Sequence, residues 1–145
     1  AQYAAPEKLL IAGTGVESVH ETVELTNRAA ELGYKAAMVR TPHYFKNLLN
    51  NDAAQLTYFR SVADRVKIPV MIYNWPQTTG IDISVEAACL LSEHPNIIAI
   101  KESSGNLEKI LRLVNETRKG FQVLTGSAPM LAPSLAAGCT GAVLA

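Results

Sequence analysis

The sequence predicts an α/β protein built on a parallel β-sheet, and three observations support this prediction. Six short apolar runs rich in β-branched residues recur along the chain. Segments with the periodicity of amphipathic helices lie between these runs. The runs are continuously apolar rather than alternating, which is typical of strands covered by other elements on both faces.

The composition indicates one globular domain and excludes several classes of function. Of the 145 residues, 48% are hydrophobic and 18% are charged, which is enough apolar material for one core. The 13 basic and 13 acidic residues cancel, so we expect no binding to nucleic acid or to an anionic membrane surface. No apolar stretch approaches the roughly 18 residues of a membrane span.

The cysteines and the start of the chain predict a cytoplasmic protein. Cys89 and Cys139 lack the spacing of metal ligands, so we expect both to be packing residues in a reducing compartment. Residues 1–10 lack the basic start and the long apolar run of a signal peptide. No change in composition marks a linker, so the chain is expected to form one domain.

The strands are predicted from the apolar runs, each of which ends in polar, small or aromatic residues. The predicted strands are Leu9–Ala12, Ala36–Val39, Val70–Tyr73, Ile97–Ile100, Phe121–Leu124 and Ala142–Leu144.

The first two helices are predicted from their capping residues. Ser18 and Glu21 form a capping box, and Gly33 is a natural C-terminal stop. Asp52 is expected to cap a second helix, whose apolar stripe contains Leu56, Phe59, Ala63 and Val66.

Three more helices are predicted towards the C-terminus. Ser84 is expected to cap one, with Glu86 favourably placed near its N-terminus. Asn106 is expected to cap the next, which would bury Leu107, Ile110, Leu111 and Val114. The last is expected near residues 129–137.

The alternation of strands and helices leaves two architectures open. Six parallel strands fit either an open, doubly wound sheet or part of a (β/α) barrel. A complete barrel takes about 250 residues, so this chain is too short for one by roughly two βα units. In both architectures the functional rim lies at the C-terminal ends of the strands, so residues that follow the apolar runs are the candidates for a site.

Lys101 is the strongest candidate for a catalytic residue. It follows Ile97–Ile100 without a break, which places it at the end of a buried strand. Burial disfavours the charged form of an amine, and a neutral amine is a nucleophile that forms a Schiff base with a ketone. The alternative is a structural lysine that pairs with Glu102 at the rim of the sheet.

Two further strand ends carry candidates. Tyr73 ends the preceding strand, so parallel pairing predicts that it neighbours Lys101 in space. A phenol beside an amine can shuttle a proton, and the alternative is a tyrosine whose ring packs on the sheet. His43 and Tyr44 follow the strand before that, where His43 is either a general base or a structural histidine.

No metal or organic cofactor is expected. Gly13-Thr14-Gly15 looks like the start of a dinucleotide-binding loop, but Ser18 stands where the third glycine belongs. Asp and Glu residues are scattered, and no pair is clearly placed for metal binding, so a mechanism without a metal is favoured.

Several motifs together carry a family resemblance. They are Ile11–Gly15, Thr41–Phe45, Tyr73–Pro76 with Thr79-Gly80, and Ile100–Ser103. Their order and spacing resemble those of the dihydrodipicolinate synthase / N-acetylneuraminate lyase superfamily, which consists of class I aldolases on a TIM barrel. The segments that look most like its 4-hydroxy-2-oxoglutarate aldolase branch are His94–Ile98, Phe121–Leu124 and Gly126–Ala128.

The resemblance implies an incomplete TIM barrel. Essentially the whole chain is covered, so residues 1–145 would be a partial TIM-barrel aldolase domain with strands three to eight of the barrel. Strands one and two, the long helical C-terminus and the family's Gly-Thr-Thr-Gly-Glu motif have no counterpart in the sequence. That motif helps to bind the substrate carboxylate.

The resemblance also implies roles for three residues in catalysis. Lys101 matches the Schiff-base lysine, and Tyr73 matches the proton donor and acceptor near it. Tyr44 matches a tyrosine that a neighbouring subunit inserts into the site, so a homo-oligomer, a dimer or tetramer, is expected.

Four residues are expected at the substrate on the same grounds. Gly126 and Val143 match positions that line the pocket near the lysine, and Thr78 and Thr79 lie in the loop that faces it. Dihydrodipicolinate synthases usually carry an arginine where this chain has Thr78. Because that arginine holds the carboxylate of a second substrate, its loss counts against dihydrodipicolinate synthesis.

The expected function is that of a lyase or aldolase acting on a small 2-oxo acid of the pyruvate type. 4-Hydroxy-2-oxoglutarate aldolase leads, and 4-hydroxy-tetrahydrodipicolinate synthase is the alternative. No cofactor is implied, because the iminium formed on the lysine is itself the electron sink. Two alternatives of other classes are an inactive truncated fragment and a flavodoxin-type binding domain, for which Gly13–Val16 is a poor phosphate loop.

Overall fold

Six parallel strands form one sheet in the order in which they occur along the chain. The computed structural model describes residues 3–144, so the expected domain limits at 1 and 145 lie outside the described residues. The strands are β1 (Ile11–Gly13), β2 (Ala36–Arg40), β3 (Val70–Asn74), β4 (Ile97–Glu102), β5 (Gln122–Thr125) and β6 (Gly141–Ala142). A doubly wound sheet reverses its strand order at a switch point, so the sequential order selects the incomplete barrel.

Seven helices and one 3₁₀ turn, Ala128–Met130, connect the strands of the described part. The helices are α1 (Val19–Glu31), α2 (Lys46–Leu49), α3 (Asp52–Ala63), α4 (Pro76–Thr79), α5 (Val85–Ser92), α6 (Leu107–Glu116) and α7 (Leu131–Ala136). Five agree with the predicted helices. The other two, α2 and α4, are single turns, too short to produce a periodic pattern.

The caps explain where the main helices begin. Ser18 Oγ accepts from the N–H of Glu21 at 3.1 Å, which confirms Ser18 as the cap of α1. The Glu21 carboxylate accepts from the Ser18 hydroxyl at 3.0 Å rather than from the Ser18 N–H, so the second bond of the predicted capping box is replaced by a bond between the two side chains. Ser84 caps α5 and Asn106 caps α6, as predicted.

Two predicted details of the helices are wrong. Asn51, not Asp52, caps α3, because Asn51 Oδ1 accepts from the N–H of Ala54 at 2.9 Å and Asp52 is the first helical residue. In α6, Leu111 is exposed and Leu113 is buried, which rotates the apolar stripe away from the predicted position.

The core lies between one face of the sheet and the helices. It contains Ala37, Val39, Val70, Ile72, Ile100 and Val123 from the strands and Phe59, Leu91, Ile110 and Leu113 from the helices. Cys139 belongs to this core and Cys89 packs against it, both as free thiols, which agrees with their prediction as packing residues. None of the helices in residues 3–144 is long and apolar enough to cross a membrane.

The opposite face of the sheet, called the inner face from here on, carries the candidate site. Arg40, Tyr73 and Lys101 pair in register across β2, β3 and β4. Side chains at paired positions of parallel strands point to the same face. The three residues therefore lie side by side at the C-terminal rim of the sheet.

Candidate active site

The centre of the candidate site is the contact between Lys101 and Tyr73. Lys101 Nζ lies 4.0 Å from the centroid of the Tyr73 ring. The same ring stacks on the indole of Trp75, with the ring centroids 5.9 Å apart. The predicted proximity of amine and phenol is confirmed, and the ring face of Tyr73 is turned towards the nitrogen.

Lys101 is buried but not paired with an acid. The residue is 5% exposed, and among residues 3–144 its Nζ has no carboxylate partner. Glu102, the partner that the structural alternative required, points to the other face of the sheet. There it contacts Lys109 Nζ at 3.4 Å, so the alternative of a Lys101–Glu102 pair is wrong.

A polar network that runs from the buried Asn74 and Glu102 to the exposed Asp82 lies behind the two candidate residues. Asn74 Nδ2 donates to Glu102 Oε2 and to Asp82 Oδ1, both at 2.7 Å, and Lys109 also contacts Asp82. Glu102 Oε1 accepts from the N–H of Ser104 at 2.6 Å. Asn74 and Glu102 directly follow the two candidate residues in sequence, so the network fixes the strand ends that carry the site.

A groove of about 340 Å³ opens beside the amine. It is lined by Tyr73, Trp75, Lys101, Ser103, Gly126, Ser127, Ala128 and Pro129. A Cβ at position 126 would lie 1.8 Å from Ser103 Oγ and 2.7 Å from Lys101 Cε, so any side chain there would displace both residues. Ser103 Oγ is buried and has no hydrogen-bond partner among the described residues, which leaves it free to bind a ligand in the groove.

A second cleft, of about 230 Å³, also includes Tyr73 in its lining. It is lined by Gly13, Gly15, Met38, Arg40 and Tyr73. Tyr73 therefore lines both the groove that contains the amine and the cleft that contains the guanidinium.

His43 lies in a cluster with Glu17 and Arg40 at the rim of the sheet. Its Nδ1 lies 3.1 Å from Glu17 Oε1 and also contacts the guanidinium of Arg40. This arrangement supports the structural alternative for His43.

The other predicted site residues lie outside the lining of the groove. Thr78 is exposed, whereas Thr79 is 2% exposed and its hydroxyl donates within its own loop, to the carbonyl of Ile81 at 2.9 Å. Tyr44 is 78% exposed. Val143 is half-buried just beyond β6. Thr79 thus supports the loop rather than facing a substrate, and the roles of the other three remain predictions.

Sequence reasoning missed Arg40 and Ser103. Arg40 directly follows the apolar run Ala36–Val39, in the same way that Lys101 follows its own run. The rule that identified the lysine would have identified the arginine. Ser103 closes the motif Ile100–Ser103, but its role depends on the absence of a side chain at Gly126, which the motif does not show.

Metal ligands do not gather in the described part of the chain. Within residues 3–144, no group of three His, Cys, Asp or Glu side chains is close enough to hold a metal ion.

Fold and site together define a segment of a parallel (β/α) barrel with a buried lysine at its C-terminal rim. The chain belongs to the dihydrodipicolinate synthetase family, whose model matches residues 4–145. This finding confirms the resemblance on which the superfamily prediction was based.

Individual relatives agree with the family. The chain is 42% identical over 134 residues to the 4-hydroxy-tetrahydrodipicolinate synthase of Exiguobacterium sibiricum, covering 92% of this chain and 45% of that protein. It is 40% identical to the protein of the same name from Methanothrix thermoacetophila, again covering 45% of the relative. The chain thus spans less than half the length of these curated relatives.

A solved structure supports the same fold. The dihydrodipicolinate synthase of Acinetobacter baumannii, complexed with pyruvate, is 31% identical and superposes with a TM-score of 0.90 over 95% of this chain and 46% of that one. The comparisons do not support the expected 4-hydroxy-2-oxoglutarate branch, because these relatives carry the name that was predicted as the alternative.

Proposed function

We propose that the full-length protein containing this chain forms a C–C bond through a Schiff base between Lys101 and a pyruvate-type 2-oxo acid. The proposed reaction is that of a 4-hydroxy-tetrahydrodipicolinate synthase. The observation that carries the proposal is the buried Lys101 amine, which has no acid partner in the described residues and lies 4.0 Å from the Tyr73 ring. The names of the relatives support the particular reaction.

The proposed chemistry follows from the reactivity of the amine. The neutral nitrogen attacks the keto carbon, and loss of water from the resulting carbinolamine gives an iminium. The iminium withdraws electrons from the adjacent carbon, which loses a proton to become an enamine. The enamine carbon then attacks the aldehyde of a second substrate, whose oxygen takes up a proton, and water finally releases the product from the lysine.

Each role in this scheme is a proposal for a named residue. Tyr73 carries protons to and from the reacting groups, because its phenol is the titratable side chain beside the amine. Gly126 keeps the space that Lys101 occupies, and Val143 closes the pocket near β6. Tyr44, with its ring exposed, enters the site of a neighbouring subunit in a homo-oligomer.

One observation favours a second candidate function. Thr78 offers a neutral hydroxyl where an arginine would provide a charged, bidentate grip on a carboxylate. On that ground 4-hydroxy-2-oxoglutarate cleavage remains the second candidate, and it uses the same Lys101 iminium in the reverse, bond-breaking direction.

The test is covalent trapping in the full-length protein. Pyruvate and borohydride are added, and the reduced secondary amine is located by mass spectrometry. We expect the adduct on Lys101 and its loss in Lys101→Met, a variant of similar side-chain volume. Lys109 is the internal control, because it is equally buried but paired with Glu102.

Two results separate the candidates. An adduct on another lysine, or none at all, would refute the proposed chemistry. If trapping occurs, the ratio of kcat/KM for condensation with aspartate semialdehyde to that for cleavage of 4-hydroxy-2-oxoglutarate decides between the two reactions. A strong preference for cleavage would refute the synthase.

A further inference from the structure

We infer that Arg40 is the residue that binds the carboxylate of the second substrate, an aldehyde that carries a carboxylate group. This inference rests on the proposed function, since it assigns a partner to the same Lys101 site. It gives the chain a cationic group for that substrate even though Thr78 is neutral.

The register of the sheet places Arg40 at the right position. Arg40 pairs with Tyr73, and Tyr73 pairs with Lys101, so the three side chains start from the same row of the inner face. Two strand spacings separate the outer members of this row by about 10 Å between Cα atoms. A short substrate can therefore bring its aldehyde to the enamine formed on Lys101 while its carboxylate lies near the guanidinium of Arg40.

The cleft beside Arg40 is shaped for its side chain. A Cβ at position 15 would lie 2.4 Å from the backbone N and 3.1 Å from Cγ of Arg40, so Gly15 leaves room for the stem. Of the residues that line this cleft of about 230 Å³, Arg40 is the one with a charge; the others are Gly13, Gly15, Met38 and Tyr73. The part of the guanidinium that Glu17 does not contact is therefore the group in this cleft that can bind an anion.

The guanidinium of Arg40 is hydrogen-bonded through Nη1, and its opposite edge has no partner among the described residues. Its Nη1 donates to Glu17 Oε1 at 3.3 Å and to the carbonyl of Thr41 at 3.4 Å, and it contacts His43. Within residues 3–144, Nε and Nη2 have no acceptor. This edge of the guanidinium has the fork geometry that binds a carboxylate through two parallel hydrogen bonds.

Glu17 acts as a positioning residue for Arg40. Its Oε2 accepts from the N–H groups of His43 and Tyr44, both at 3.0 Å, which leaves Oε1 for the guanidinium. Burial raises the pKa of Glu17, but the hydrogen bonds from Tyr44, His43 and Arg40 outweigh it, so the pKa lies below its usual value. The carboxylate thus stays ionised and fixes Nη1 without occupying the open edge.

Steady-state kinetics of the full-length protein test the inference through Arg40→Met, which keeps the stem and removes the charge. We expect KM for aspartate semialdehyde to rise about 10- to 150-fold, the cost of losing a hydrogen bond to a charged group. Pyruvate trapping on Lys101 should be unchanged. Arg40→Lys should recover part of the loss, because it restores the charge without the fork. Arg112→Met, a partly exposed arginine of α6 outside both clefts, is the matched control and should leave KM unchanged.

The two proposals fail in different ways. If pyruvate traps normally but Arg40→Met leaves KM for the aldehyde unchanged, the role of Arg40 is refuted and the Schiff-base chemistry stands. If pyruvate does not trap at all, succinate binding tests Arg40 directly. The fluorescence of Trp75, the single tryptophan, which stacks on Tyr73, should then change on titration with succinate in the unmodified protein but not in Arg40→Met. An equal response in both proteins would overturn the inference.

Discussion

Asn74→Ala tests whether the buried network holds the ends of β3 and β4 in place. Asn74 is fully buried, and both the nitrogen and the oxygen of its side-chain amide are hydrogen-bonded. Its Nδ2 donates to Glu102 and Asp82, and its Oδ1 accepts from the N–H of Ile83 at 3.0 Å. Truncation removes all three bonds at once and leaves no water-accessible replacement for the two inner ones.

The cost follows from the surroundings of each lost bond. The bond to the buried carboxylate of Glu102 is worth about 1.5–3 kcal/mol, and the orphaned N–H of the fully buried Ile83 costs about 1–3 kcal/mol. The bond to Asp82 adds little, because that side chain is 54% exposed and water replaces the amide. The free energy of unfolding should therefore fall by about 2.5–6 kcal/mol, a large part of the roughly 5–15 kcal/mol that a domain has.

The assay is urea unfolding of the full-length protein, with pyruvate trapping measured in parallel. Asn115→Ala is the matched control: the side chain of Asn115 is exposed and donates to the carbonyl of Leu111 at 2.7 Å. That variant should change stability by less than about 0.5 kcal/mol. A loss below about 1 kcal/mol in Asn74→Ala, with an unchanged slope against urea and normal trapping, would refute the role of the network.

Three further predictions concern other parts of the molecule. Gly126→Ala places a methyl group 1.8 Å from Ser103 Oγ, so trapping should slow roughly tenfold or more, and an unchanged rate would contradict this close approach. Burial raises the pKa of Tyr58 to about 12, so its contribution to stability is complete below about pH 10 and is lost as the pH rises from about 10 to 12. An absorbance titration should therefore lose its last tyrosine step in Tyr58→Phe, and persistence of that step would assign it to another residue. The 145-residue chain expressed alone has open edges at β1 and β6 and should self-associate, whereas light scattering that reports a monodisperse monomer would argue against this.

The strands and the central pair of the site could be predicted because both depend on local sequence. A parallel strand that packs against helices is rich in apolar residues, so each of the six strands overlaps an apolar run. Lys101 and Tyr73 follow such runs directly, and parallel pairing brings consecutive strand ends together. The choice between an open sheet and a barrel depends instead on strand order, which no local pattern encodes.

The rest of the site depends on contacts between distant segments. Arg40 is oriented by Glu17, which comes from the loop after β1. Thr79 lies in a loop that resembles a substrate-binding loop. Its hydroxyl, however, is hydrogen-bonded to the backbone of Ile81 in the same loop. The exposure of Leu111 could not be predicted for the same reason, because the packing of α6 against other elements sets its rotation and so decides which leucine faces the core.

The sequential order of the strands has a consequence for how the chain folds during synthesis. Each strand pairs with the one that left the ribosome just before it, from β1 to β6. No strand has to wait for a later one to be inserted between it and its neighbour, so each new pairing closes only one βα loop. The entropy cost of closing that loop is lower than it would be if several βα units separated the paired strands. At every stage the nascent sheet exposes a single growing edge, and the next βα unit to emerge covers it.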